Sequence, residues 1–245
     1  MSSAKPTILI VPGSFAPTHI YASLITHIRN AGYVSFAVQL PSTVKRMPLP
    51  LATMSDDADV IRRAVEVIAE GGSEVLVVCH SYGGTPTSQG LSGLKGVKRI
   101  VYLTAIVPRV GETQVSALWG EGVDAPMELT EGYMHIDTLA MFRAICSDLP
   151  LDLAYENGLH FQHHSGASFV EKVTQVAYTD VPVSYIFCED DLVVSPEKQR
   201  EYIGVLEEAK GGKIPVVSLK AGHCPNFSIP EELGRFIMQE AERVE

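Results

Sequence analysis

A serine hydroxyl is a weak nucleophile until a base removes its proton, and an imidazole is a better base when a carboxylate holds its tautomer. The sequence offers this set at Ser81, His223 and Asp191. Each stands where a strongly apolar run ends. Ser81 lies in Val77-Val78-Cys79-His80-Ser81-Tyr82-Gly83-Gly84, an apolar strand pattern that turns abruptly at a serine into a glycine-containing segment. A serine held on so tight a strand-to-helix turn needs small residues two before and two after it. Gly83 supplies one, and Cys79 stands where a glycine is more usual. The competing reading makes Ser81 a plain helix N-cap. Cys79 is a nucleophile type too, but it falls inside the buried strand rather than on the turn.

Of the eight histidines, His223 suits the base, because it follows the last strand-like run in Ala221-Gly222-His223-Cys224. His80 adjoins the serine on its strand, so its side chain should point away and be buried and hydrogen-bonded. The acid comes from Cys188-Glu189-Asp190-Asp191, at the end of another apolar run, with Asp190 as the rival to Asp191. The oxyanion that forms on acyl transfer needs two backbone N–H donors. Tyr82, directly after the nucleophile, is one candidate. Ser14, in Pro12-Gly13-Ser14-Phe15 after the first strand, is the other, with a plain Pro-Gly turn as the alternative.

The elements that must position these residues follow from the apolar pattern. Strand-like runs occur at Thr7 to Val11, Tyr33 to Leu40, Glu74 to Cys79, Arg99 to Ala105, Val181 to Cys188 and Pro215 to Leu219. Segments of helical period alternate with them: one carries Tyr21, Leu24, Ile25 and Ile28, and one starts at a Ser55 cap with Asp56, Asp57 and Asp59 near its first turn. The last runs from Pro230 to Glu245. Alternation of this kind predicts an α/β fold with about six mainly parallel strands flanked by helices. Residues 110–179 interrupt it. They read as a mainly helical cap with no clear strand, inserted after the fourth strand, leaving 1–109 and 180–245 as the core.

The cap supplies candidate substrate contacts. Trp119, Met127, Met134, Met141 and Phe142 make an apolar interior, by packing or by touching substrate, and Phe15 faces it from the core. His160, His163 and His164 recur at spacings that could share a helical face. They lack an accompanying carboxylate of clear spacing, so packing, surface or pocket-lining roles fit better than a metal site, with His164 as the pocket candidate. No glycine-rich nucleotide fingerprint follows a strand, so no cofactor is expected.

The quoted segments resemble the small fungal and bacterial serine hydrolases of the α/β-hydrolase fold, a group related to plant methyl-ester esterases and hydroxynitrile lyases. The resemblance runs from about Thr7 to the final helix and is weakest in the cap. The order Ser…Asp…His is the order of that fold. It implies the acid within a Cys-Glu-x-Asp pattern eight residues before a glutamine, which Asp191 and Gln199 match, although the family's proline is displaced here to Pro196. It also implies a sheet that begins at the strand leading to the oxyanion loop. Three functions fit: hydrolysis of a carboxylic ester or lactone through an acyl-enzyme; a cofactor-free C–C bond hydrolase or lyase on the same triad; and a ligand-binding receptor of the same fold. Cys224 stands where the related cyanide-releasing lyases carry a lysine, which argues against cyanide chemistry.

Composition narrows the setting. The 245 residues carry a formal charge of −10 and gather no basic stripe, so nucleic acid and membrane surfaces are poor partners, and a small molecule is the expected one. The four cysteines are scattered, which suits reduced thiols in a cytoplasmic setting. The sequence leaves open whether the chain is a monomer or a homodimer.

Overall fold

The computed structural model describes residues 5–123, 128–136 and 138–244, residues 138–140 by backbone alone. The chain opens with β1 (Thr7–Val11), α1 (Ala22–Asn30), β2 (Ser35–Ala37) and α2 (Met54–Glu70). β3 (Val75–His80) then leads through a 3-10 turn, Ser81–Gly83, into α3 (Gly84–Gly90) and β4 (Val97–Leu103). The insert holds α4 (Gln114–Trp119), β5 (Leu129–Thr130), β6 (Tyr133–Met134), α5 (Thr138–Ile145), α6 (Leu151–Gly158), β7 (His164–Ser165) and α7 (Ala167–Val170). The core resumes with β8 (Val183–Cys188), α8 (Pro196–Lys210), β9 (Val216–Leu219), α9 (Pro225–Ser228) and α10 (Pro230–Glu242).

The six core strands form one sheet in the order β2-β1-β3-β4-β8-β9, and every pairing is parallel. A parallel sheet is covered on both faces, which is why β3 is apolar nearly throughout and buried at every position. Successive side chains alternate between the faces. Leu9, Val77, Tyr102 and Tyr185 join Ile61 and Val65 of α2 and Leu206 of α8 on one side. Ile8, Ile10, Val78 and Val101 meet Leu24 and Ile28 of α1 and Leu233 and Ile237 of α10 on the other. In α2 the buried residues Met54, Ala58, Ile61 and Val65 recur every three or four positions, the stripe expected of a helix lying on a sheet. Full burial of one such Ile or Val contributes about 1.5–3 kcal/mol.

Several boundaries differ from those the pattern predicts. The second strand is cut to Ser35–Ala37, as suits an edge strand paired on one side. α2 starts before Ser55: Thr53 is its N-cap, in a reciprocal capping box with Asp56. The final helix ends at Glu242. The insert is not strand-free, because β5, β6 and β7 form a small antiparallel sheet. His164 lies on β7 and His160 and His163 fall between α6 and β7, so the three histidines share no helix. Met127 lies outside the described residues. No helix among those described is long and apolar enough to cross a membrane.

Candidate active site

Ser81 stands directly beyond the buried end of β3, with φ of 53°. A non-glycine residue rarely adopts that backbone, and the strain persists only where the surroundings enforce it. Here they do. The Ile106 N–H donates to the Ser81 carbonyl oxygen at 3.1 Å. On the helical side the backbones are too close for larger residues: a Cβ at Gly83 would lie 2.6 Å from the Pro12 carbonyl oxygen, and one at Gly84 would lie 2.1 Å from that of Ile106. Cys79 fits two residues before the serine because its thiol tucks against the neighbouring strand, pointing toward the Val101 carbonyl oxygen.

β8 and β9 end at the same sheet edge and bring the other two residues to Ser81. His223 Nε2 lies 3.0 Å from Ser81 Oγ, and His223 Nδ1 lies 2.8 Å from Asp191 Oδ2. All three are buried. The carboxylate fixes the tautomer: Nδ1–H donates to Asp191, which leaves Nε2 to accept the serine proton. Asp191 takes three more donors. Thr104 Oγ1 donates to Oδ2, and the Val193 and Val194 N–H groups donate to Oδ1 at 2.7 and 3.0 Å. Burial alone would raise the Asp191 pKa. The charge of His223 and these hydrogen bonds outweigh burial and hold it below the usual carboxylate range. Asp190 is exposed, with its carbonyl oxygen taking the Ser147 hydroxyl. Gln199 fixes the acid loop from α8, accepting from Cys188 N–H and donating to the Cys188 and Val194 carbonyl oxygens, all at 2.9 Å.

Behind the site runs a second chain of hydrogen bonds. Gly13 N–H donates to Tyr21 Oη at 3.2 Å, the Tyr21 hydroxyl to His80 Nδ1 at 2.7 Å, and His80 Nε2–H to the His223 carbonyl oxygen at 2.8 Å. Desolvation, reinforced by His223, pushes the His80 pKa down to about 3, so this imidazole stays neutral beside His223. It also contributes to the cavity wall.

Ser14 lines the same cavity as Ser81, from the loop after β1, and Tyr82 directly follows Ser81 in the 3-10 turn. Tyr82 lies in the first turn of the helical segment, where N–H groups have no intrahelical acceptor. Its ring points back into the core, where the hydroxyl donates to Asp57 Oδ2 at 2.7 Å while Ser42 N–H donates to Oδ1 at 2.9 Å. Burial raises the Asp57 pKa to about 6 despite these bonds.

Over Ser81 and His223 lies a cavity of about 720 Å³, walled by Phe15 and Ser14 from the core and by Trp119, Ile136, Met141 and Phe161 from the insert. His164 is not part of that wall. It sits behind Phe15, fully buried, with Nδ1 accepting the Phe15 N–H at 3.2 Å and Nε2–H donating to Ser168 Oγ at 2.9 Å. Desolvation lowers its pKa to about 3. Phe15 itself has a φ of 62°, and its carbonyl oxygen takes the Gln162 N–H, so the insert pins the loop after β1 on both sides of this residue.

Thr104, Gln199, Tyr21 and His164 thus support the chemistry-bearing groups. Only the spacing of Gln199 from Asp191 marked any of them as a support in the sequence. Among the described residues, no three or more His, Cys, Asp or Glu side chains are gathered as a metal site.

A parallel sheet with a strained serine elbow, and with an acid and a histidine at neighbouring strand ends, defines a hydrolase class, and the Alpha/beta hydrolase family model matches residues 8–235. The chain belongs to that family and is a hydrolase of the alpha/beta fold. It is 58% identical over 240 residues to "Probable hydrolase R7" of Phoma sp. (strain ATCC 20986 / MF5453), covering 97% of this chain and 98% of that one. It is 28% identical to "Alpha/beta hydrolase nvfD" of Aspergillus novofumigatus, covering 97% of each. Among solved structures, polyneuridine aldehyde esterase superposes with a TM-score of 0.78 at 17% identity, covering 96% of this chain and 99% of that one. The pyrethroid hydrolase PytH superposes with a TM-score of 0.75 at 21% identity, covering 98% of both. At those identities the likeness is one of fold.

Proposed function

We propose that the chain is a serine hydrolase that cleaves a carboxylic ester or lactone of a small to medium apolar substrate through an acyl-enzyme. The observation that carries this reading is the unbroken chain Ser81 Oγ, His223, Asp191, at 3.0 and 2.8 Å, opening on an apolar cavity. Ser81 Oγ attacks the acyl carbon as His223 Nε2 takes its proton. The Ser14 and Tyr82 N–H groups receive the oxyanion. When the tetrahedral intermediate collapses, the alkoxide leaves with the proton from His223. Water then attacks the acyl-enzyme, His223 takes a proton from it, and the acid departs as Ser81 recovers its hydroxyl. Phe15 and Trp119 border the acyl and alcohol groups, while His164 supports Phe15 from behind.

The fold also carries a protein named tomato methylketone synthase I, so site geometry rather than fold supports the hydrolytic reading. One neighbour named an esterase and another named a pyrethroid hydrolase agree with it. The test is hydrolysis of p-nitrophenyl acetate by the parent and by Ser81→Ala. Parent turnover that falls at least about a thousandfold in the variant is expected. Equal rates would sink the mechanism.

A further inference from the structure

Gln114 opens α4, held there by the reciprocal Thr113–Ser116 capping box. Its side chain is 1% exposed, yet it lines the cavity above Ser81. Oε1 accepts the Thr85 hydroxyl at 2.5 Å. Thr85 is fully buried on α3, one turn beyond Ser81, and this is where its hydroxyl proton goes, so the carboxamide orientation is fixed with Nε2 turned away. No acceptor among the described residues takes the Nε2–H bonds. Its N–H groups are left for whatever occupies the cavity that Gln114 lines. The surrounding wall is otherwise apolar on this side, with Leu118 one turn along α4, Trp119, Ile106 and Phe169.

We infer that the Gln114 carboxamide is a substrate-binding donor, and that the substrate carries a second, uncharged oxygen acceptor, a ketone or hydroxyl, besides the carbonyl that Ser81 attacks. This rests on the hydrolytic reading of the cavity. The acceptor is uncharged because no lysine or arginine among the described residues lines the cavity, whereas Glu128 does. The donor stands at a set distance from the nucleophile because Thr85 ties it to the helix that Ser81 begins. It therefore selects where along the substrate the second oxygen lies.

Trp119 is the chain's one tryptophan and part of the cavity wall, so its fluorescence reports occupancy. In a Ser81→Ala background, where esters bind without being cleaved, Trp119 quenching would be titrated with ethyl 4-oxopentanoate, 5-oxohexanoate and 6-oxoheptanoate. Ethyl pentanoate, hexanoate and heptanoate are their partners. At least one oxo ester should bind about tenfold more tightly than its partner. Gln114→Glu keeps an acceptor for Thr85 but replaces the donor by a carboxylate oxygen, and it should reverse that preference. Gln114→Leu should bring the ratio to one or below. Absence of a preference at every chain length would overturn the assignment, as would a preference that survives both substitutions. Binding does not depend on turnover, so p-nitrophenyl acetate hydrolysis by the parent tests the hydrolytic reading separately.

Discussion

Asp191 is buried yet accepts four hydrogen bonds, so its charge is stabilised by protein donors in place of water. An asparagine there would turn N–H groups toward His223, favour the wrong tautomer and leave Ser81 without a base. Asp191→Asn is therefore expected to lower kcat about 10⁴-fold while the urea midpoint stays within reach of the parent's, checked by kinetics and unfolding on the same preparation. Ser81, His223 and Asp191 can be singled out in the sequence because each ends an apolar run, and the fold brings them within hydrogen-bond reach of one another. Their supports cannot be singled out in this way. Thr104 is an ordinary threonine near a strand end, and Tyr21 an ordinary apolar-face residue, until the fold brings them to Asp191 and His80. His164 carries a signal of the right type, but its spacing from His160 and His163 reads as a helical face that could line the pocket. A β-strand instead turns it toward the Phe15 backbone.

At the level of elements, the turn from β3 into α3 is where close packing limits sequence most. A methyl group at Gly83 or Gly84 meets backbone carbonyl oxygens, which cannot swing aside as a side-chain tip can. Gly84→Ala should destabilise the fold by roughly 3 kcal/mol or more, measured by urea unfolding, and more than Gly204→Ala on α8, where an added Cβ meets nothing within 4 Å. The core strands could be read from their apolar runs because burial on both faces leaves few polar positions. The insert could not, because β5, β6 and β7 have only two residues each and no room for a periodic pattern. β2 reads longer in the sequence for a related reason: its regular pairing covers Ser35–Ala37, yet apolar Val34 and Val38 flank it and still hydrogen-bond to β1 through their backbones.

Across the whole molecule, buried titrating groups set the response to pH. His80 and His164 are held neutral in the fold, with pKa values of about 3 against 6.5 for the free imidazole. The unfolded chain binds more protons at these positions, so their contribution is present above about pH 6.5 and is lost as pH falls toward 3. Asp57 acts in the opposite sense. Its raised pKa of about 6 makes the folded chain the better proton binder, so its contribution is favourable below about pH 3.8 and is lost as pH rises through 6. Two histidines outweigh one carboxyl near pH 5, which gives a net loss of roughly 1–2 kcal/mol per pH unit of acidification. Urea unfolding at pH 4.5, 5.5 and 7 should show this slope, and a flat profile would mean that these imidazoles are not held neutral in the fold.

The central claim is that Ser81 is a nucleophile activated by His223. A fluorophosphonate probe followed by peptide mass spectrometry tests it most directly. The account predicts one adduct, on Ser81, formed rapidly by the parent, slowed at least about a hundredfold in His223→Ala and absent from Ser81→Ala. An unlabelled Ser81 in folded protein, or an adduct that forms equally fast without His223, would contradict it.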